Sequence, residues 1–271
     1  MPEIAEVETI KNDLLASNIL GQKIKTVEFL FLPLIEISPE NFIKKIRNLF
    51  LLKILRKGKY LIFDFGKIYL LIHLKMTGHL FLKRYDYKSQ RHDLIIFTFE
   101  NKIKLVFFDP RRFGKIYIKN DLTIVDRLGP DILSEEFVLE EFYESLILRK
   151  KKIKTLLLDQ YFIAGIGNIY ADEILFEAKI HPEKIAQDIN KKKAKDLYFA
   201  IERVIQKAIK NRGTSLGKTK LNFTSIKEDF GFNQNHLLVH TKKICPICSA
   251  LIKKIKINQR TTYFCEKCQR F

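Results

Sequence analysis

Cys245-Pro246-Ile247-Cys248 and, sixteen residues on, Cys265-Glu266-Lys267-Cys268 hold all four cysteines of the chain. Each C-x2-C knuckle offers two thiolates from one turn, and tetrahedral zinc takes four sulfurs at about 2.3 Å. The spacing therefore predicts one structural zinc in a C-terminal four-cysteine finger. Two disulfides are the alternative, which a reducing compartment disfavours. Four protein ligands leave the metal no open position, so its role is structural rather than catalytic. Between the knuckles, residues 252–257 followed by Arg260 and Tyr263-Phe264 read as a basic hairpin.

Basic residues crowd the same end. Six Lys/Arg and no acid stand between Lys242 and Arg260, and further runs occur at Arg149-Lys150-Lys151-Lys152 and Lys191-Lys192-Lys193. The whole chain carries 49 Lys+Arg against 31 Asp+Glu, a formal charge of +18. A general bias toward lysine would spread these residues evenly, whereas clustering suits a polyanionic partner whose phosphates release counterions on binding. With 271 residues, 46% of them hydrophobic, the chain can build one large or two medium cores. The acidic start is unlike a secretory signal, and no apolar run approaches the ~20 residues of a membrane span. These features predict a soluble, cytoplasmic protein with no membrane partner.

Upstream of the finger the pattern is helical. Residues 137–150 and 194–209 are amphipathic, with Asp188 a candidate cap and Gly213 a candidate end for the second helix. Between them, Asp159-Gln160-Tyr161-Phe162-Ile163-Ala164-Gly165-Ile166-Gly167-Asn168-Ile169-Tyr170 breaks the period, and a new helix is expected near Asn168. Exposed amides at such an N-terminus bind phosphate, but a plain helix–helix turn accounts for the same glycines.

The first half is β-rich. Residues 24–32, 49–55, 60–65, 68–74, 94–99 and 102–108 are dense in Ile, Phe, Val and Tyr, with short turn signals between several of them. Runs such as Tyr69-Leu70-Leu71-Ile72 lack alternation, so parts of the sheet are expected to be buried on both faces. An antiparallel sandwich or barrel-like domain follows.

Met1-Pro2-Glu3-Ile4-Ala5-Glu6-Val7-Glu8 opens a helix that Ile4, Val7, Ile10 and Leu14 outline, with Gly21 expected to close it. Proline and acids in a first turn make an ordinary helix start. The same residues also allow chemistry. Removal of Met1 leaves the secondary amine of Pro2, and α-amino groups titrate near ~8, so it can attack an electrophilic carbon and form an iminium. Glu3 stands beside it as a candidate acid or base.

Taken in order, these pieces resemble the formamidopyrimidine-DNA glycosylase family along essentially the whole chain. The anchors are Pro2-Glu3 with Glu6-Val7-Glu8-Thr9, Gly58-Lys59-Tyr60-Leu61, His73-Leu74-Lys75-Met76-Thr77-Gly78, Asp109-Pro110-Arg111-Arg112-Phe113-Gly114, Gly165 to Glu173, and the finger. The resemblance implies an α+β multidomain fold. An N-terminal β-sandwich flanked by helices (1–133) precedes a helix–two-turn–helix domain with a lesion-capping loop (134–235) and the Cys245, Cys248, Cys265, Cys268 zinc finger (236–271). It implies a monomer that acts on double-stranded DNA containing oxidised bases or abasic sites, with the duplex in the cleft between domains.

The resemblance also implies a base-excision-repair glycosylase and lyase for oxidised purines such as 8-oxoguanine and formamidopyrimidines. Pro2 would attack C1′ and displace the base, Glu3 would protonate the opening sugar, and β,δ-elimination would leave a one-nucleotide gap. Lys59 would serve the catalytic site as the strand lysine near the lesion phosphates; alone, it reads as a solvated strand lysine. Met76, Arg111 and Phe113 would fill the gap left by the everted nucleotide, because apolar wedges recover stacking and an arginine can hydrogen-bond the orphaned base. Lys154, Asn168 and Arg260 would contact phosphates, and His73 and His92 are either further contacts or structural histidines.

The sequence departs from the family at Ala5 (usually proline), at Lys75 (often glycine) and at Val239-His240-Thr241-Lys242 (usually Val-Tyr-Gly-Arg). The capping loop lacks the usual acidic–aromatic pair after Leu216. Two further readings remain: a related endonuclease VIII-type glycosylase for oxidised pyrimidines, and a non-catalytic zinc-finger protein that binds damaged DNA.

Overall fold

The computed structural model describes residues 1–219 and 221–271. They form two compact units, Met1–Asp126 with Asn211–Gln234, and Arg127–Lys210 with Asn235–Phe271. The segment Asn211–Gln234 thus packs with the first unit, although the sequence reading groups it with residues 134–235. Lys220, within the expected capping loop, lies outside the described residues.

The first unit is a sandwich of two four-stranded antiparallel sheets. After helix α1 (Ile4–Leu15) come β1 (Ile24–Phe29), α2 (Pro39–Ile46), β2 (Lys53–Lys57), β3 (Tyr60–Asp64), β4 (Tyr69–His73), β5 (His79–Lys83), β6 (Asp93–Phe99), β7 (Lys104–Phe108), β8 (Lys115–Lys119) and the short α3 (Thr123–Asp126). One sheet has the order β1-β6-β7-β5 and the other β2-β3-β4-β8. Leu105 and Phe107 face the main core with Phe63, Leu70 and Phe97. Val106 and Phe108 point the other way, into a second cluster with Phe81 and Ile96. A strand buried on both faces needs no polar alternation, which is why the unbroken apolar runs are strands.

Helix α1 buries Ile4, Val7, Ile10 and Leu14, and each such side chain contributes about 2 kcal/mol by leaving water. It stops at Leu15 rather than at Gly21, because the Ser17 hydroxyl and amide both bond to the Leu14 carbonyl and divert the chain into turns. Helix α2 has no counterpart in the sequence reading. Ser38 caps it through the Asn41 amide, and Phe42 and Ile46, one turn apart, bury its inner face. The short strands β5 and β8 have none either. The outer edge of β5 is covered by Asn211–Gln234, through a bond from the Leu82 amide to the Ile226 carbonyl (3.1 Å), the Lys83–Glu228 ion pair and a Thr224 hydroxyl–His79 contact.

The second unit contains α4 (Leu139–Ile147), α5 (Ile153–Leu157), α6 (Asn168–Glu177), α7 (Lys191–Lys210), and the hairpin β9 (Lys253–Ile257) with β10 (Arg260–Phe264). Gly165 turns the chain at φ +108° and Gly167 stands at the N-cap of α6, so the new helix begins at Asn168 as expected. Asn190, not Asp188, caps α7 by accepting the Lys193 amide at 2.9 Å, while Asp188 ends a separate 3-10 turn. Gly213 lies beyond the end of α7 at Lys210. Among the described residues, no helix is long and apolar enough to cross a membrane.

Candidate active site and nucleic-acid contacts

Pro2 and Glu3 are buried at the head of α1. The helix start is fixed by Glu6, whose Oε2 accepts the Glu3 amide and whose Oε1 accepts the Thr214 amide, both at 2.7 Å. Gly213 permits that approach: a Cβ there would lie 2.9 Å from both Cγ and Oε1 of Glu6, and its φ of +79° is a glycine conformation. Two residues on from Glu6, Glu8 accepts the Arg56 Nε at 2.7 Å, and the same guanidinium donates to the Gly58 carbonyl at 3.0 Å. Gly58 (φ +56°) and Lys59 make the two-residue turn joining β2 to β3, where Lys57 pairs with Tyr60. Lys59 is therefore a turn lysine rather than a strand lysine, and it is buried.

His73 ends β4 with its ring edge-on to Tyr60 at 4.6 Å. Its Nδ1 accepts the Lys75 amide at 2.9 Å, which places the proton of the neutral ring on Nε2. Burial, then the nearby Lys75 and Lys59 charges, lower its pKa to about 3. His73 thus offers a neutral N–H donor at any physiological pH. His92, at φ +77°, packs edge-on to Phe108, and its buried Nδ1 has no hydrogen-bond partner among the described residues.

The three expected gap-filling residues come together on two loops of the first unit. Arg111 Nη1 lies 3.7 Å from the Met76 sulfur, and its guanidinium sits 4.8 Å over the Phe113 ring. Met76 is 44% and Phe113 48% exposed, so neither is a core residue. Asp109, fully buried, holds both loops: it accepts the Thr77 hydroxyl at 2.6 Å and the amides of Arg111, Phe113 and Gly114 at 3.1, 2.8 and 2.8 Å. Gly114 has no room for a side chain, because a Cβ would meet the Phe107 ring at 2.3 Å. The local sequence marks this organising role of Asp109 only through its Asp-Pro turn start, which signals a carboxylate that binds following amides.

In the second unit the predicted phosphate contacts divide. Arg260 is exposed just after the Asn258-Gln259 turn, whose φ values of +46° and +61° suit a two-residue hairpin. Asn168, the first residue of α6, donates from Nδ2 to the Thr261 carbonyl at 2.9 Å, while its Oδ1 is buried without a partner among the described residues. Lys154, expected to contact phosphate, has its ammonium engaged within the second unit. It is 0% exposed, paired with Asp172 at 2.6 Å, and also donates to the Thr262 hydroxyl (2.8 Å) and the Thr261 carbonyl (3.3 Å). Asp172 in addition binds His240 Nδ1 at 2.7 Å and the Tyr263 amide at 3.2 Å.

Its neighbour Glu173 accepts the amides of Leu238, Val239 and His240 at 2.7, 2.9 and 2.7 Å. Burial nevertheless raises the Glu173 pKa, against the lowering by those hydrogen bonds. Two adjacent acids inside the apolar run from Ile169 to Phe176 are the available signal for this cluster, since buried charges require partners.

The four cysteine sulfurs lie within 4.8 Å of one another, with 3.7 Å between Cys245 and Cys268 and 3.4 Å between Cys248 and Cys265. None is in a disulfide. A tetrahedron with zinc–sulfur arms of 2.3 Å has edges of about 3.8 Å, so the set fits one structural zinc. Cys245 and Cys265 pack with Phe176 of α6 and Val239.

A β-sandwich that carries the N-terminus, a helical unit in which Gly-x-Gly leads into α6, and a four-cysteine finger together define a zinc-finger protein of the helix–two-turn–helix class. The chain matches the formamidopyrimidine-DNA glycosylase N-terminal domain over residues 1–116, the H2TH domain of the same family over 128–220, and the zinc finger found in FPG and IleRS over 243–270. It is 38% identical to the formamidopyrimidine-DNA glycosylase of Protochlamydia amoebophila, covering 100% of both chains. It is 37% identical to that of Mycoplasma genitalium, covering 100% of this chain and 96% of the relative. Among solved structures, it resembles Lactococcus lactis Fpg in complex with DNA containing an abasic site (TM-score 0.90, 35% identity, 99% of this chain and 100% of the other). The chain belongs to the formamidopyrimidine-DNA glycosylase family.

Proposed function

We propose that this protein is a bifunctional DNA glycosylase and abasic-site lyase of base excision repair, acting on oxidised purines in duplex DNA in the cytoplasm. The observation that carries this reading is the exposed cluster of Met76, Arg111 and Phe113. An apolar–cation–apolar group turned toward solvent, with its backbone fastened by a buried carboxylate, serves no core. It suits an enzyme that must occupy the hole left by an everted nucleotide.

The chemistry assigned to the N-terminus follows. Once Met1 is removed, the Pro2 nitrogen attacks C1′ of the damaged nucleotide. The C1′–base bond breaks with its electron pair leaving on the base, which takes up the proton that the Pro2 nitrogen sheds, and Glu3 delivers a proton to the ring oxygen as the sugar opens. The product is an iminium between Pro2 and C1′. Loss of a C2′ proton then expels the 3′ phosphate, and a second elimination expels the 5′ phosphate. Lys59 and the Nε2–H of His73 are assigned to phosphates around the lesion, and His92 to a further contact. In the second unit, Asn168 and Arg260 are assigned to phosphates, with zinc holding the finger that presents Arg260.

Borohydride trapping on a duplex with 8-oxoguanine opposite cytosine tests the reading. We expect one covalent adduct, lost when the Pro2 nitrogen is blocked, and base excision crippled when Pro2 is replaced by glycine, whose primary amine can still form an imine. An adduct that survives a blocked N-terminus, or none from active-site-intact protein, overturns it.

A further inference from the structure

We infer that Glu6 is a positioning residue that couples the segment beginning at Thr214 to the nucleophilic N-terminus, so that engagement of a damaged base by that segment sets the placement of Pro2. The inference rests on the reading proposed above and on the resemblance by which residues 215–234 correspond to the lesion-capping loop. One buried carboxylate divides its two oxygens between the Glu3 amide, one residue from Pro2, and the Thr214 amide, more than two hundred residues away in sequence. Both bonds are 2.7 Å, and Glu6 is 1% exposed, so neither oxygen can turn to solvent when its donor moves.

The segment is closed at its base, which makes displacement of one part felt at Thr214. The Phe232 amide bonds to the Asn211 carbonyl (2.9 Å) and the Asn233 amide to the Gly213 carbonyl (3.0 Å). The Ser215 hydroxyl donates to the Phe223 carbonyl at 2.6 Å and accepts the Gly231 amide at 2.9 Å, and Asn233 Nδ2 donates to the Thr214 hydroxyl at 2.9 Å. Gly231 is packed so closely that a Cβ would fall 2.2 Å from the Gly213 carbonyl oxygen. A shift of this clasp moves the Thr214 amide, and Glu6 passes the shift to the first turn of α1. Recognition of a base then appears in the rate of attack at C1′ as well as in affinity. An abasic site has no base to engage and makes no use of the link.

Single-turnover assays of Glu6→Gln and Gly213→Ala test this. A glutamine has one acceptor oxygen for two amides; the alanine Cβ displaces Glu6 from the other side. Either variant should slow excision of 8-oxoguanine by about tenfold or more, the scale of a misplaced reacting group. Borohydride trapping on an abasic duplex, which uses the same Pro2 nitrogen but engages no base, should fall at least about threefold less than excision does. The double variant should be no slower than the slower single, because both break one link. Equal losses on the two substrates, no loss on either, or multiplying losses overturn the coupling.

Amide hydrogen exchange gives a readout that needs no catalysis. In Gly213→Ala, the Glu3 amide should exchange faster although the substitution lies outside α1. An unchanged Glu3 amide overturns the coupling whatever the enzyme assays give, while absence of any wild-type excision or adduct counts against the glycosylase reading instead.

Discussion

The Asp109 loops of the first unit and the Asp172 cluster of the second are built on one device, a fully buried carboxylate surrounded by donors, and put it to opposite uses. Asp109 takes one hydroxyl and three backbone amides. Its donors cost the loops no cationic side chain, so Arg111 stays exposed beside Met76 and Phe113. Asp172 instead consumes the Lys154 ammonium and the His240 ring, and turns both inward. A loop that presents side chains is fastened by its backbone; elements that must be locked together are fastened by their side chains. A count of basic residues therefore overstates the cations available to a polyanion.

The sharpest way to break this contrast is to neutralise each acid. Asp172→Asn leaves the buried Lys154 charge uncompensated, and breaking such a pair costs about 3–5 kcal/mol. Asp109→Asn strands no charge, and one amide oxygen still accepts, so the cost should be about 1–3 kcal/mol. Urea unfolding of zinc-loaded protein, followed separately by probes in each unit, compares them. Equal costs, or a larger one at Asp109, would remove the distinction between the two carboxylates.

A smaller effect separates inward from outward cations in DNA binding. Arg260→Gln should flatten the dependence of log K on log salt by about one, as loss of a single phosphate contact does. Lys154→Met should leave that slope unchanged while lowering stability. A slope change at Lys154 matching that at Arg260 would place Lys154 among the phosphate contacts.

Why the hairpin that carries Arg260 is legible in sequence and the burial of Lys154 is not has a physical reason. Turn chemistry, apolar period and cysteine spacing act over a few residues, so the finger, the hairpin, the Asn168 helix start and most strands could be read directly. The partners of Lys154 are Asp172, Thr261 and Thr262, up to 108 residues away, and no local pattern encodes them. The same holds for Glu6 and Thr214. Helix α2 escaped for a different reason: with only Phe42 and Ile46 buried, its stripe is too short to establish a period. Identity of the outward residues Met76, Arg111 and Phe113 came from motif resemblance, and their meeting in space only from the loops that Asp109 gathers.

Each unit holds several non-glycine residues at positive φ, and two that stand where the family has glycine allow the finest comparison. Lys75, where the family often has glycine, has φ +52°, and Thr241, in the place of another family glycine, has φ +63°. A side chain in the left-handed region costs about 1–2 kcal/mol, part of which glycine gives back through its greater freedom when unfolded. Thr241 is the worse case because it is β-branched. Its hydroxyl bond to the His240 carbonyl, at 2.6 Å, offsets some of the strain. Thr241→Gly should therefore stabilise the second unit by roughly 1 kcal/mol, and Lys75→Gly the first by roughly half of that. Thermal unfolding with zinc held constant measures both. If Thr241→Gly destabilises instead, the hydroxyl bond outweighs the strain, and the linker before the finger is held by that threonine rather than in spite of it.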